Sequence, residues 1–178
     1  KQVGGQCPDA ITPPVKEDYE PLLREKGKFI ARWSYAPEND FDGSFAKALR
    51  NAGVVPSAGH TDAIYPDMLR AFESGCRLVT HLYSCTSTIT RDHGFRRLGV
   101  IESAYLLDDM YVEIIADGKH LPPELIKLIL KIKGRDSSGN EIFYCGQAEV
   151  RNSTWTEVNF DIREFSSQCR KVESMELF

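Results

Sequence analysis

No run of about 18 apolar residues occurs in this 178-residue chain, so it contains no candidate membrane-spanning helix. A CxxC pair is also missing. The five cysteines are an odd number, which excludes a complete disulfide framework and a zinc ribbon. Cys7, Cys76 and Cys85 are expected to be reduced thiols of a cytosolic protein, whereas Cys145 and Cys169 lie in a stretch of different character and could pair. Positive charge is not in excess: 22 Lys and Arg against 26 Asp and Glu leave a net charge of −4. Nucleic acid is an improbable partner, because a phosphate backbone needs a clustered basic face. The nearest cluster, Arg91, Arg96 and Arg97, reads as a solvated loop unless it serves a single phosphate group. Repeats and low-complexity segments are absent too. The opening KQVGGQCPDAITPP has no apolar core and does not read as a signal peptide, and a start without Met points to a processed, truncated or excised chain. What remains, 42% hydrophobic and 27% charged residues, is the composition of a globular protein.

Between residues 13 and 133 the pattern alternates helix and strand. PPVKEDYEPLLREKG opens with prolines suited to a helix start and ends on Gly27. FIARWSY (29–35) reads as a strand, GSFAKALRNAG (43–53) as a helix closed by Gly53, and VVPSAGH (54–60) as the next strand. Asp62 is placed to cap a helix running to Gly75. CRLVTHLYS (76–84) and MYVEIIADGKH (110–120) read as strands, and LPPELIKLILKIKG (121–134) as a helix with apolar residues at 125, 126, 129 and 130. Strands alternating with helices predict βαβ units and a parallel sheet. After Gly134 the pattern changes to turn-rich and alternating segments, among them EIFYCGQAEV (141–150), TWTEVNFDI (154–162) and KVESMELF (171–178). These predict an antiparallel, all-β stretch over 135–178, with a module boundary near 134.

Three of the four histidines share one place in this pattern: His60 and His81 fall late in strands, and His120 closes a third such stretch. In a parallel α/β barrel, strand ends of this kind converge on the face that carries active sites. Two imidazoles from adjacent strand ends can hold one divalent ion, with a carboxylate and water completing the shell. A single histidine is more simply a locally hydrogen-bonded residue. Three at equivalent places point to a site.

GHTDA (59–63), THLYS (80–84) and VEIIADGKH (112–120), in this order, resemble the middle of the N-acetylglucosamine-6-phosphate deacetylase family of the amidohydrolase superfamily. That family carries GHSDA or GHTDA, then THLFNAM, then VEIIADGxH. The resemblance covers most of residues 1–134 and implies an α/β fold there, part of a (β/α)8 TIM-type barrel. It also implies metal-dependent hydrolysis of the acetamide of N-acetylglucosamine 6-phosphate or a related amino-sugar phosphate, a divalent metal (zinc), and a homodimeric parent. The family's metal-binding histidines fall on His60 and His81, and its metal-binding glutamate belongs to a segment expected just before Lys1. The histidine that polarises the acetyl carbonyl aligns with Gln6, an amide that donates a hydrogen bond without a positive charge. Substrate contacts fall on Ser84 and Cys85, which replace Asn and Ala, and on His120. The arginine that reaches the phosphate across a dimer interface falls on Arg91, whose planar guanidinium suits that group. His93 has no counterpart and reads as a surface residue.

The family's general base, an aspartate in a TDA motif, has no match in GRDSSGNEIFYCG (134–146). Asp136 sits in a turn, and Asp62 is better placed to orient His60 or cap a helix. The tail, with WTEVNFDIREF, weakly resembles the closing strands of a carbohydrate-binding β-sandwich. There Trp155 and Tyr144 could stack on a sugar, although core packing is the simpler role. A non-catalytic sugar-phosphate or carbohydrate-binding protein, a scaffold, or an inactive chimera is the rival reading.

Overall fold

A computed structural model of the chain describes residues 2–133. The first helix, α1 (Lys16–Lys26), has Glu17 and Asp18 in its first turn and Arg24 and Lys26 in its last, each sign at the end where the helix dipole favours it. Tyr19 and Leu23, four residues apart, form its buried stripe. A 3₁₀ turn, Gly27–Phe29, extends this helix and delays the first strand, β1, to Arg32–Tyr35. The strand expected over 29–35 is shorter for that reason.

Helix α2 (Ser44–Asn51) begins where the buried Asp40 carboxylate accepts the N–H groups of Phe45 (3.1 Å) and Ala46 (3.0 Å). Gly53, at φ 75, turns the chain into β2 (Val55–Ala58). Helix α3 (Tyr65–Glu73) is not capped by Asp62, as the sequence had led us to expect. Asp67, in its first turn, reaches back to accept the Ile64 N–H at 3.1 Å.

Strand β3 spans only Leu78–Val79. The antiparallel pair β4 (Thr90–Asp92) and β5 (Phe95–Arg97) follows, then α4 (Val100–Leu106), β6 (Tyr111–Val112) and α5 (Pro123–Lys133). The expected strands 76–84 and 110–120 thus shrink to two residues each. Backbone hydrogen bonds continue past these strands, from Thr80 N–H to Ala58 O (2.8 Å), Glu113 N–H to Val79 O (2.9 Å) and Leu82 N–H to Glu113 O (2.7 Å), but without regular strand pairing. The β4–β5 pair and α4 fall in a stretch to which the sequence had assigned no element.

β1, β2, β3 and β6 form one parallel sheet in that order, with Arg32 opposite Val55, Ser57 opposite Leu78, and Leu78 opposite Tyr111. Alternation along the strands separates two faces. Tyr35, Ala58 and Val79 are buried with Leu49, Met68, Val100 and Met110 in the core. Phe45 is the centre of its aromatic part, with ring centroids 4.7 Å from Tyr19, 5.6 Å from Trp33 and 5.5 Å from Tyr35. On the other face Ser34, Val55 and Tyr111 are exposed.

Two compact units divide the chain, the first ending at Ile114 and the second starting at Ile115. In the second, α5 buries Ile126 and Ile129, with Leu121 buried just ahead of it. The module boundary expected near 134 lies at the edge of the described residues, and the β-rich 135–178 lies outside them.

Candidate functional site

His60 and His81 stand just beyond the C-terminal ends of β2 and β3, neighbours in the sheet. Both are half-buried, and their rings meet edge to face, with centroids 4.8 Å apart and planes at 75°. The two Nε2 atoms are 3.0 Å apart. His60 Nδ1 faces two backbone carbonyls, Gln2 O at 3.1 Å and Val3 O at 3.2 Å. A carbonyl only accepts, so Nδ1 carries the hydrogen and Nε2 presents a bare lone pair to His81. His81 Nδ1 is buried and without a hydrogen-bond partner. The pair can share a proton along Nε2–H···Nε2, or both lone pairs can converge on one cation. Two imidazole nitrogens each about 2.0–2.1 Å from a tetrahedral zinc lie about 3.3 Å apart. The separation found here is close to that. The donor set therefore fits two positions of a divalent-ion shell. Among the described residues, no group of three or more His, Cys, Asp or Glu side chains is arranged to hold an ion.

The backbone is unusual at the same place. His60 (φ 48), His81 (φ 33), Tyr83 (φ 74) and Cys85 (φ 50) are all left-handed, a conformation that costs a side-chain-bearing residue energy. Hydrogen bonds hold the two loops in it. Thr61 N–H donates to Cys85 O (3.1 Å), Ser87 N–H to Thr61 O (3.1 Å), Ser84 N–H to His81 O (2.8 Å), and the Ser87 hydroxyl to Ala63 O (2.6 Å). Beneath them the Thr80 hydroxyl meets those of Ser57 (2.6 Å) and Ser34 (2.8 Å), pinning the residue before His81. The N-terminal turn packs against both loops. A Cβ on Gly4 would lie 2.8 Å from Cys85 Sγ and 2.9 Å from His60 Cε1, so that position admits only glycine without displacement.

Of the residues singled out from sequence, the structure gathers His60, His81 and Cys85 around this point. Gln6 is exposed on the adjoining turn, where its N–H donates to Val3 O at 3.0 Å. Ser84 is half-buried in the His81 loop. Arg91 is exposed on β4, opposite Arg96 of β5, and donates to Gly94 O at 3.5 Å within its own hairpin. Arg97 pairs with Asp92, and His93 is exposed beside the same carboxylate. His120 lies in the second unit, with Nδ1 2.8 Å from Asp117 Oδ2. The N–H groups of His120 (2.8 Å) and Lys119 (2.9 Å), with the His120 ring, hold the Asp117 carboxyl well below the usual range.

Cys7, Cys76 and Cys85 are free thiols. Burial pushes Cys76 up to about 11, so it is a protonated packing residue rather than a nucleophile. One residue of the site escaped the sequence reading. Glu38, in the 3₁₀ turn Pro37–Asn39 after β1, accepts the Thr61 hydroxyl and the Asp62 N–H (2.8 Å). Its only sequence signal is an acidic residue three positions past a strand end.

No protein-family model matches the chain. Among curated proteins it is 33% identical over 134 residues to the N-acetylglucosamine-6-phosphate deacetylase of Bacillus subtilis, covering 75% of this chain and 33% of that one. It is 35% identical over 127 residues to the protein of the same name from Haemophilus influenzae, covering 70% and 30%. The crystal structure of N-acetylglucosamine-6-phosphate deacetylase from Pasteurella multocida matches with a TM-score of 0.66 and 27% identity, over 75% of this chain and 34% of that one. This chain spans about a third of the length of the curated relatives it matches.

Proposed function

Over the residues matched, the chain belongs to the N-acetylglucosamine-6-phosphate deacetylase family, and from that premise we propose that it carries part of the site of a metal-dependent amino-sugar-phosphate deacetylase. The reaction would be hydrolysis of the acetamide of N-acetylglucosamine 6-phosphate, or of a related amino-sugar phosphate, to acetate and the free amine. One observation carries this reading: two histidines at adjacent parallel strand ends turn their Nε2 atoms toward each other, 3.0 Å apart, where both can serve one cation. The sheet supports it. Four parallel strands, with Tyr35, Ala58 and Val79 buried on one face and Ser34, Val55 and Tyr111 exposed on the other, are the arrangement that part of the wall of a (β/α)8 barrel would have.

In this account His60 and His81 would hold a divalent ion, zinc. Such an ion supplies a water that ionises near neutral pH and polarises a bound carbonyl. The chain's own groups prepare the place. The Gln2 and Val3 carbonyls fix the His60 tautomer through Nδ1 and keep Nε2 free. Gln6 would donate an amide hydrogen bond to the acetyl oxygen. Ser84 and Cys85 would line the sugar, His120 would contact the substrate, and Arg91 would serve the phosphate of a neighbouring subunit in a homodimer. The sequence offers no match for the family's metal-binding glutamate or its general-base aspartate. General acid–base catalysis typically contributes about a hundred- to ten-thousand-fold.

The expectation for these 178 residues is therefore binding without turnover. Calorimetric titration of the zinc-loaded protein should show binding of N-acetylglucosamine 6-phosphate in preference to N-acetylglucosamine, with acetate release at background. Equal binding by the wild type and His60→Ala would sink the reading. Turnover that vanishes in His60→Ala would instead show that another residue supplies the base, with Asp62 the first to examine.

A further inference from the structure

Glu38 is the one carboxylate of the described structure whose two oxygens hold two consecutive residues directly after His60. Its Oε2 accepts the Thr61 hydroxyl and its Oε1 the Asp62 N–H at 2.8 Å. Thr61 is completely buried and tied on its other sides as well: its Oγ1 accepts the Ala63 N–H (3.0 Å), its N–H donates to Cys85 O (3.1 Å), and its carbonyl accepts the Ser87 N–H (3.1 Å). Thr61 is thus clamped between Glu38 on one side and the loop that follows His81 on the other.

The turn that carries Glu38 is itself braced. Arg70 of α3 donates to Pro37 O (3.2 Å) and Asp40 O (3.1 Å), and pairs with Asp67 at 2.9 Å. The carboxylate therefore sits on a fixed support, half-buried, rather than on a swinging surface side chain. His60 needs such a neighbour. Its φ of 48 is a conformation that a non-glycine residue keeps only where the surroundings impose it.

We propose that Glu38 is a positioning residue, whose carboxylate acts through Thr61 and Asp62 to hold His60 left-handed and so aim its Nε2 at His81. The consequence for metal affinity rests on the metal reading above. The consequence for the geometry of the two imidazoles does not. Gln at this position keeps an oxygen for the Asp62 N–H and presents an amide to Thr61, whose hydroxyl oxygen then accepts; Ala keeps neither bond.

The experiment uses the full chain, with long-range ¹⁵N–¹H imidazole spectra recorded metal-free and a cobalt(II) titration recorded separately. Glu38→Ala should shift the His60 and His81 signals and leave those of His93 and His120 in place. Thr61→Val should shift the same two signals. Cobalt affinity should fall about 10- to 100-fold in Glu38→Ala, with Glu38→Gln between it and the wild type. If Glu38→Ala does not fold, Glu38→Gln and Thr61→Val carry the test. Unchanged His60 and His81 signals in folded variants overturn the proposal, whatever the cobalt result. A wild type that takes up no cobalt overturns the metal reading alone, and the imidazole signals still decide the role of Glu38.

Discussion

At His60 the chain accepts backbone strain in order to place a side chain. A left-handed non-glycine residue costs on the order of 1–3 kcal/mol, and His60, His81, Tyr83 and Cys85 incur it within one cluster. Fully buried hydrogen bonds such as Ser87 Oγ–H to Ala63 O, each worth roughly 0.5–1.5 kcal/mol net, help to offset it. The strain has a direct signature. His60→Gly should be more stable than His60→Ala by about 1 kcal/mol in urea denaturation, because glycine adopts positive φ freely. Equal stability, or the reverse order, would mean that the loop imposes no strain at that residue. The sequence showed which histidines to watch, since GHTDA and THLYS carry a recognisable pattern. Glu38 was invisible there because its partners lie 23 and 24 positions away and no periodicity links them.

Among the elements, those with strong local signals were legible, and those defined by tertiary contacts were not. Helices α1, α2, α3 and α5 have apolar spacing plus an end signal, and all four are found. The strands were read too long in 76–84 and 110–120. In a parallel sheet the apolar run does not stop where the ladder stops, so hydrophobicity alone overstates strand length. Helix α4 was missed because it has only seven residues and starts from a glycine rather than a strong capping residue. Glu102 supplies the missing cap by accepting the Gly99 N–H at 2.8 Å. The charged turn RDHGFRR hid the β4–β5 hairpin, having no apolar alternation to reveal it. Helix α2 offers the element-scale test. Asp40 is 5% exposed and satisfies two of the four open N–H groups of that helix start. Asp40→Ala should therefore lower stability by about 1–2 kcal/mol, at the upper end for a lost cap. A change below about 0.5 kcal/mol in denaturant titration would mean that α2 does not depend on this carboxylate.

For the molecule as a whole, strand–helix alternation predicted a parallel α/β sheet, and β1-β2-β3-β6 is one. Closure of such a sheet into a barrel is a matter of long-range pairing, which no local pattern encodes. The same holds for the meeting of His60 and His81, whose Nε2 atoms lie 3.0 Å apart although the two residues are 21 positions apart in the chain. The central claim is that His60 and His81 act together as ligands, and metal content tests it most directly. Purified wild-type protein, equilibrated with zinc and dialysed against metal-free buffer at neutral pH, should retain about one zinc per chain. His60→Ala and His81→Ala should each lose it. Zinc content unchanged in both variants would contradict the account.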